Sequence, residues 1–209
     1  MTRKTILHPD RGDARERLLN AALSVIRSKG YAATTVDDLC RMATVSKGAF
    51  FHHFRSKEEL AIAAAAHWHN ETEAIFGRAP YRKQSNPQQR VLGYLAFRKE
   101  LVVGDASEFS CLLGTMAQEV HQTSPAIRDA CGEAIEAHAS TLHDDIAEAL
   151  ANSINKDVCA PASLALHIQA VLQGAFIMAK AIGEPRVATD SIEHLIRYCT
   201  LLLEPAKQD

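Results

Sequence analysis

Ser46-Lys47-Gly48 sets a hydroxyl, a cation and a position without a side chain in succession, and His52, His53, Arg55 and Lys57 follow. Serine is a preferred N-cap, so the run predicts the start of a short helix. Bare N–H groups, a cation and a missing side chain at one helix end can approach a phosphate and a base edge closely. Upstream, Thr34 and Thr35 are also N-cap types, and Asp38 lies three residues after Thr35, close to a capping box. Val36, Leu39, Met42 and Ala43 recur at helical spacing until Thr44-Val45 breaks the pattern. A further box follows, with Ser56 three residues ahead of Glu59. Two short helices joined by a tight turn, each apolar on one face, describe a helix-turn-helix.

Its second helix is the expected reader of DNA. Lys47 and the Gly48 backbone lead it and are expected at base edges, and Ala49 can touch a thymine methyl. His52 is expected to contact either a base or a phosphate. Leu39, Met42, Phe50 and Phe54 are expected in the small core behind it.

VSKGAFFHHFRSKEEL at residues 45–60, with RERLLNAALSVIRSKGYAATTVDDLCRMATVS before it, resembles the signature of TetR-family transcriptional regulators. The resemblance is close over about the first sixty residues and rests beyond them on helix number and length. It implies that Thr35, Ser46, His53 and Lys57 occupy positions that hold phosphates, contacts that set register rather than sequence. Two positions depart from the pattern. A hydroxyl or amide residue is common where Ala49 stands, and a tyrosine where Phe51 stands, so Phe51 keeps the ring without the phenolic donor. The resemblance also implies a small-molecule pocket among the middle helices and dimerisation through the last two helices as a four-helix bundle. The stretch FSCLLGTMAQEV is similar to that of a TetR subgroup that includes sensors of electrophiles, in which a cysteine near the position of Cys111 reacts. Two readings of Cys111 stand side by side. A thiol at a helix N-terminus has a lowered pKa and a reactive thiolate, whereas a free cysteine commonly just packs.

The elements that must position these groups are helical throughout. A helix over residues 13–29 carries the apolar stripe Leu18, Leu19, Ala22, Val25 and Ile26 and stops at Gly30. After Lys57 an alanine-rich helix runs to about Phe76, a covalent lever between head and body. Further helices are expected over residues 86–103, 107–121, 124–154, 161–183 and 189–203. The total is about nine, with no strand pattern and no internal repeat. The helix after Pro161 is apolar nearly all round, which calls for burial on more than one face. Gly174 in its middle suits a close helix approach, and a second copy is the expected occupant of the outer face.

The fold class read here is all-α. A flexible arm spans residues 1–12, a three-helix helix-turn-helix head 13–57, and a helical ligand-binding and dimerisation body 58–209. Arg3, Lys4 and Arg11 in the arm are solvated or add backbone contacts. Residues 1–57 hold eleven Lys/Arg and five Asp/Glu, and residues 58–209 hold twelve and twenty. A basic head on an acidic body steers one end toward nucleic acid.

Other function classes find little support. No run of eighteen apolar residues suggests a membrane span, and no apolar block follows Arg3-Lys4 as in a signal peptide. Five scattered cysteines without C-x-x-C give neither a disulfide framework nor a zinc site, and read as a reduced, cytoplasmic setting. His67 and His69 point about 200° apart on one helix and cannot share an ion. His138 and His143 align poorly, so no metal and no cofactor is expected. No nucleophile elbow or phosphate loop is present, and no catalytic residue is assigned. Trp68, Tyr94, Phe97, Cys111, Gln173 and Phe176 are the expected pocket residues. The reading is a homodimeric repressor on a palindromic double-stranded operator, released by a small-molecule inducer. Its alternatives are a TetR-like activator, or a helical small-molecule- or metal-binding enzyme without a DNA role.

Overall fold

A computed structural model describes residues 13–206; the expected arm, residues 1–12, lies outside the described residues. The helices are α1 (Ala14–Lys29), α2 (Val36–Ala43), α3 (Lys47–His53), α4 (Lys57–Gly77), α5 (Pro87–Glu100), α6 (Ala106–Phe109), α7 (Leu112–Val120), α8 (Pro125–Ser140), α9 (His143–Ala151), α10 (Pro161–Ile182) and α11 (Arg186–Leu202). A 3-10 turn occupies Pro80–Lys83. Among the described residues there is no strand, only one isolated bridge between Ser153 and Pro205.

Among the described residues eleven helices replace the expected nine, because two long segments break. The 107–121 segment divides at Ser110-Cys111 into α6 and α7. The 124–154 segment divides where the Thr141 and Leu142 N–H groups turn back to His138 and Ala139 at 3.3 and 3.1 Å, and the Thr141 hydroxyl closes on His138 O at 2.8 Å. No glycine or proline marks that break, so periodicity carried the expected helix through it.

The described residues form two compact units, one of residues 13–71 and 110–134, the other of 72–109 and 135–206. This division differs from a single cut after residue 57, because α7 packs on α1. In the first unit α1, α2 and α3 pack on one another. Asp13 caps α1 by accepting from Glu16 N–H at 2.9 Å, and Leu18, Leu19, Ala22, Val25 and Ile26 are all buried. Gly30 ends the helix at φ +88. The backbone conformation requires glycine, and a Cβ there, 2.3 Å from Glu119 Oε1, would also push the Glu119 carboxylate aside. In the second unit α10 packs on α11 and α9, and α5 on α11 and α9. By length and a mean hydropathy of 1.5, α10 could cross a membrane, a property hidden by its lack of an unbroken apolar run. Here Leu164, Ile168, Leu172, Phe176 and Ala179 are buried in the unit's core. All five cysteines are free.

Candidate nucleic-acid interface

Capping chemistry builds the reading edge. Thr35 caps α2 by accepting from Asp38 N–H at 3.1 Å, and the Asp38 carboxylate accepts from Thr35 N–H at 3.0 Å. The box is reciprocal, as the spacing predicts. Asp38 is also paired with Lys29 and Arg41. The hydrogen bond from Lys29, then those from Thr35, hold its carboxyl well below the usual range. Thr34 is buried instead, its hydroxyl donating to Gly30 O at 2.6 Å. Thr44, at φ 54, ends α2 in the left-handed region.

Ser46 then caps α3, its Oγ accepting from Ala49 N–H at 3.1 Å. That leaves Lys47 and Gly48 in solvent at the front of the helix and Ala49 half-buried behind them. A Cβ at Gly48 would meet nothing nearer than Ser46 Oγ at 3.6 Å, so internal packing does not demand glycine here. Lys47 Nζ pairs with the exposed Asp37 carboxylate at 2.8 Å, a hydrogen bond that raises the lysine's pKa. Phe51 is 56% exposed and His52 is also open to solvent. His53 is half-buried, its ring 4.9 Å from that of His52.

Phe50 and Phe54 lie behind this face, fully buried as expected, with ring centroids 6.0 Å apart. Met42 is a correction. It is 42% exposed, and α2 buries Leu39, Cys40 and Ala43 instead. Lys57, expected at a phosphate, is engaged inside the head. Its ammonium donates to Tyr31 O at 3.0 Å and Thr34 O at 2.9 Å and sits 4.2 Å over the Tyr31 ring. Desolvation there lowers its pKa. An ammonium has three hydrogens, so one is left for a further acceptor. From α7, the Glu119 carboxylate accepts from Tyr31 and Ala32 N–H at 3.1 and 2.7 Å. Glu119 escaped the sequence reading, since nothing local links it to a turn almost ninety residues away.

The expected pocket residues are divided between the two units. Trp68 belongs to the first unit, where its ring lies 5.0 Å from the Arg27 guanidinium. Cys111 is also in that unit, partly exposed at the N-cap of α7 and making no side-chain capping bond. Near it the buried Cys131 thiol is pushed up to about 12, by burial first and then by the charge of Cys111.

Tyr94, Phe97, Gln173 and Phe176 lie in the second unit. Phe176 packs on Phe109 at 5.8 Å, and Gln173 is half-buried. Only Tyr94 and Phe97 share a cluster, both 5.3 Å from the Phe76 ring. Their polar partners are residues that sequence did not select. The Tyr94 hydroxyl accepts from Gln169 Nε2 and Arg98 Nε, each at 2.9 Å, and meets His138 Nε2 at 3.0 Å. The one local sign was the i, i+4 spacing of Tyr94 and Arg98. Among the described residues no three His, Cys, Asp or Glu side chains gather as a metal site.

Comparison with known proteins finds two family matches along the chain. The profile of "Bacterial regulatory proteins, tetR family" matches residues 18–64, and that of "Tetracyclin repressor-like, C-terminal domain" matches residues 87–195. The chain is 27% identical over 112 residues to the transcriptional regulator AcuR of Cereibacter sphaeroides, covering 54% of this chain and 51% of AcuR. It thus spans about half the length of that relative. To the HTH-type transcriptional repressor DhaR of a Mycobacterium species it is 26% identical over 171 residues, 81% of this chain and 84% of DhaR. The crystal structure of Escherichia coli NemR in its reduced form superposes with a TM-score of 0.74 at 22% identity, covering 90% of this chain and 97% of that one.

Proposed function

This chain belongs to the tetR family of bacterial regulatory proteins, DNA-binding transcriptional regulators and not enzymes, and from that premise we propose that it is a cytoplasmic homodimeric repressor released from a palindromic operator by a small molecule. One observation carries the reading. The N-terminal end of α3 is capped from within by Ser46, yet presents Lys47 and Gly48 outward, and among the described residues a Cβ at Gly48 would meet only Ser46 Oγ. Lys47 and the Gly48 backbone reach base edges in the major groove, with Ala49 as a thymine-methyl contact. Thr35, Ser46, His53 and Lys57 hold phosphates, and Phe51 and His52 flank them.

The second copy is the partner that the outer face of α10 and α11 calls for. Leu166, Ile177, Met178 and Ile182 on α10 and Tyr198 and Leu201 on α11 are all exposed. A Cβ on Gly174 would meet nothing within 4 Å in this chain, which leaves room for a neighbouring helix. A two-fold dimer spaces two reading helices about 34–36 Å apart, one turn of duplex. A ligand that prefers a different setting of α4 moves them off that spacing by population shift.

Selection of bound sequences from random duplexes tests the reading. It should return two inverted half-sites at a fixed spacing, with the protein eluting as a dimer. Lys47→Ala should lose affinity and blur base preference at one position of each half-site. Retention of random DNA without any symmetric motif, or a single chain at binding concentrations, would refute it.

A further inference from the structure

We propose that the polar cluster around Arg98 is a binding site for a small carboxylic acid with an aromatic body, and that such an acid is the effector class. The effector part rests on the regulator reading above; the binding part does not.

Arg98 is the centre of the argument. Its guanidinium lies 4.5 Å from the Phe76 ring centroid and 5.4 Å from that of Tyr94. It donates through Nε to the Tyr94 hydroxyl at 2.9 Å, and its Nη2 lies 2.9 Å from His138 Nε2. Guanidinium can only donate, so His138 Nε2 is an acceptor and the neutral ring carries its proton on Nδ1. That N–H donates to Glu73 Oε1 at 3.0 Å. The hydrogen-bond partners of Arg98 are thus a phenol and an imidazole, and among the described residues no carboxylate comes within ion-pair distance of it. A partly buried cation normally finds a counter-charge. This one has aromatic faces, a phenol and an imidazole.

The surroundings narrow the class of ligand. Tyr94 is fully buried, and Gln169 and His138 are 5% and 6% exposed. Tyr81 is buried as well, packed 6.0 Å from Tyr94 and 6.1 Å from Phe97, and its hydroxyl makes no hydrogen bond of ordinary length, with only a weaker interaction from the Arg82 side chain. Burial pushes that phenol up to about 12, so it stays a neutral donor. An uncommitted phenol and a guanidinium without a counter-ion suit one planar anion. Carboxylate matches the guanidinium fork in pairs of hydrogen bonds, and Phe76, Phe97, Tyr81 and Tyr94 suit an aromatic ring beside it. Taking Arg98 from His138 also disturbs the His138–Glu73 bond, and Glu73 lies on α4, the helix that begins at Lys57.

The test is thermal unfolding of the full chain with benzoate, its neutral counterpart benzamide and the cation benzylamine. Benzoate should raise the melting temperature of the wild type, and the other two should leave it unchanged. Arg98→Gln should weaken benzoate binding about tenfold or more. Tyr81→Phe should weaken it roughly three- to tenfold. Arg98→Lys, which keeps the charge, should retain part of the shift and decides the matter if Arg98→Gln does not fold. No stabilisation by benzoate, an equal effect of benzamide, or full binding by Arg98→Lys together with Tyr81→Phe would overturn the site. Benzoate should also release the wild type from its selected duplex. Stabilisation by benzoate in a protein that binds no duplex would sink the regulator reading and keep the site. Duplex binding without any response to benzoate would do the reverse.

Discussion

At the head's outer face, His52 and Phe51 stand in solvent and Lys47 meets only the exposed Asp37, whereas in the body Tyr94, His138 and Gln169 are buried and hydrogen-bonded within one cluster. Both regions use basic, aromatic and imidazole side chains. The difference is where desolvation is met. In the body it was met on folding, so each group leans on its partners and losing one strands the others. At the head the groups remain hydrated, and their cost and gain arrive together with DNA. Stability should therefore be sensitive in one region and binding in the other.

The sharpest break of that contrast is Tyr94→Ala. It removes a fully buried ring and the acceptor shared by Gln169 and Arg98, and should cost about 3–5 kcal/mol in urea unfolding. His52→Ala should stay within roughly 0.5 kcal/mol while weakening DNA binding. Comparable stability losses in the two variants would erase the distinction. Lys57 is the intermediate case, being both at the expected phosphate positions and bonded to two head carbonyls. Lys57→Met should cost about 1–2 kcal/mol of stability, and weaken all duplexes evenly with a flatter salt dependence. Lys47→Gln, paired only with exposed Asp37, should cost less than about 0.5 kcal/mol of stability. If Lys57→Met keeps full stability, its two carbonyl bonds carry no weight.

What sequence could show follows the same line. Caps and boxes at Thr35 and Ser46 are local, each closed within three residues, and the structure has them where their spacing puts them. The α1 stripe was equally plain over four turns. In eight-residue α2 the stripe is short enough to be set a residue off, so Cys40 is inside and Met42 outside. Trp68 and Cys111 share the expected pocket with Tyr94 on side-chain type alone, and side-chain type does not show that they lie in a different compact unit from Tyr94. Gln169 and His138 meet Tyr94 across 75 and 44 residues, a distance that periodicity cannot bridge.

Acid offers the finest probe of the comparison, through a head group already tied to its neighbours. The hydrogen bonds from Lys29 and Thr35 hold Asp38 below its ordinary value of 3.8. A carboxyl depressed on folding adds stability that is fully present above its unfolded value and is lost as pH falls through the folded one. The stability difference between wild type and Asp38→Asn should thus be level from neutral pH down to about 5, and should shrink only below about pH 4. Trp68, the single tryptophan, packs on Arg27 of α1, so its fluorescence follows the unit that contains Asp38. A difference that changes between pH 5 and 7, or persists undiminished to the acid end of the titration, would mean that the Asp38 contacts do not hold the α2 cap.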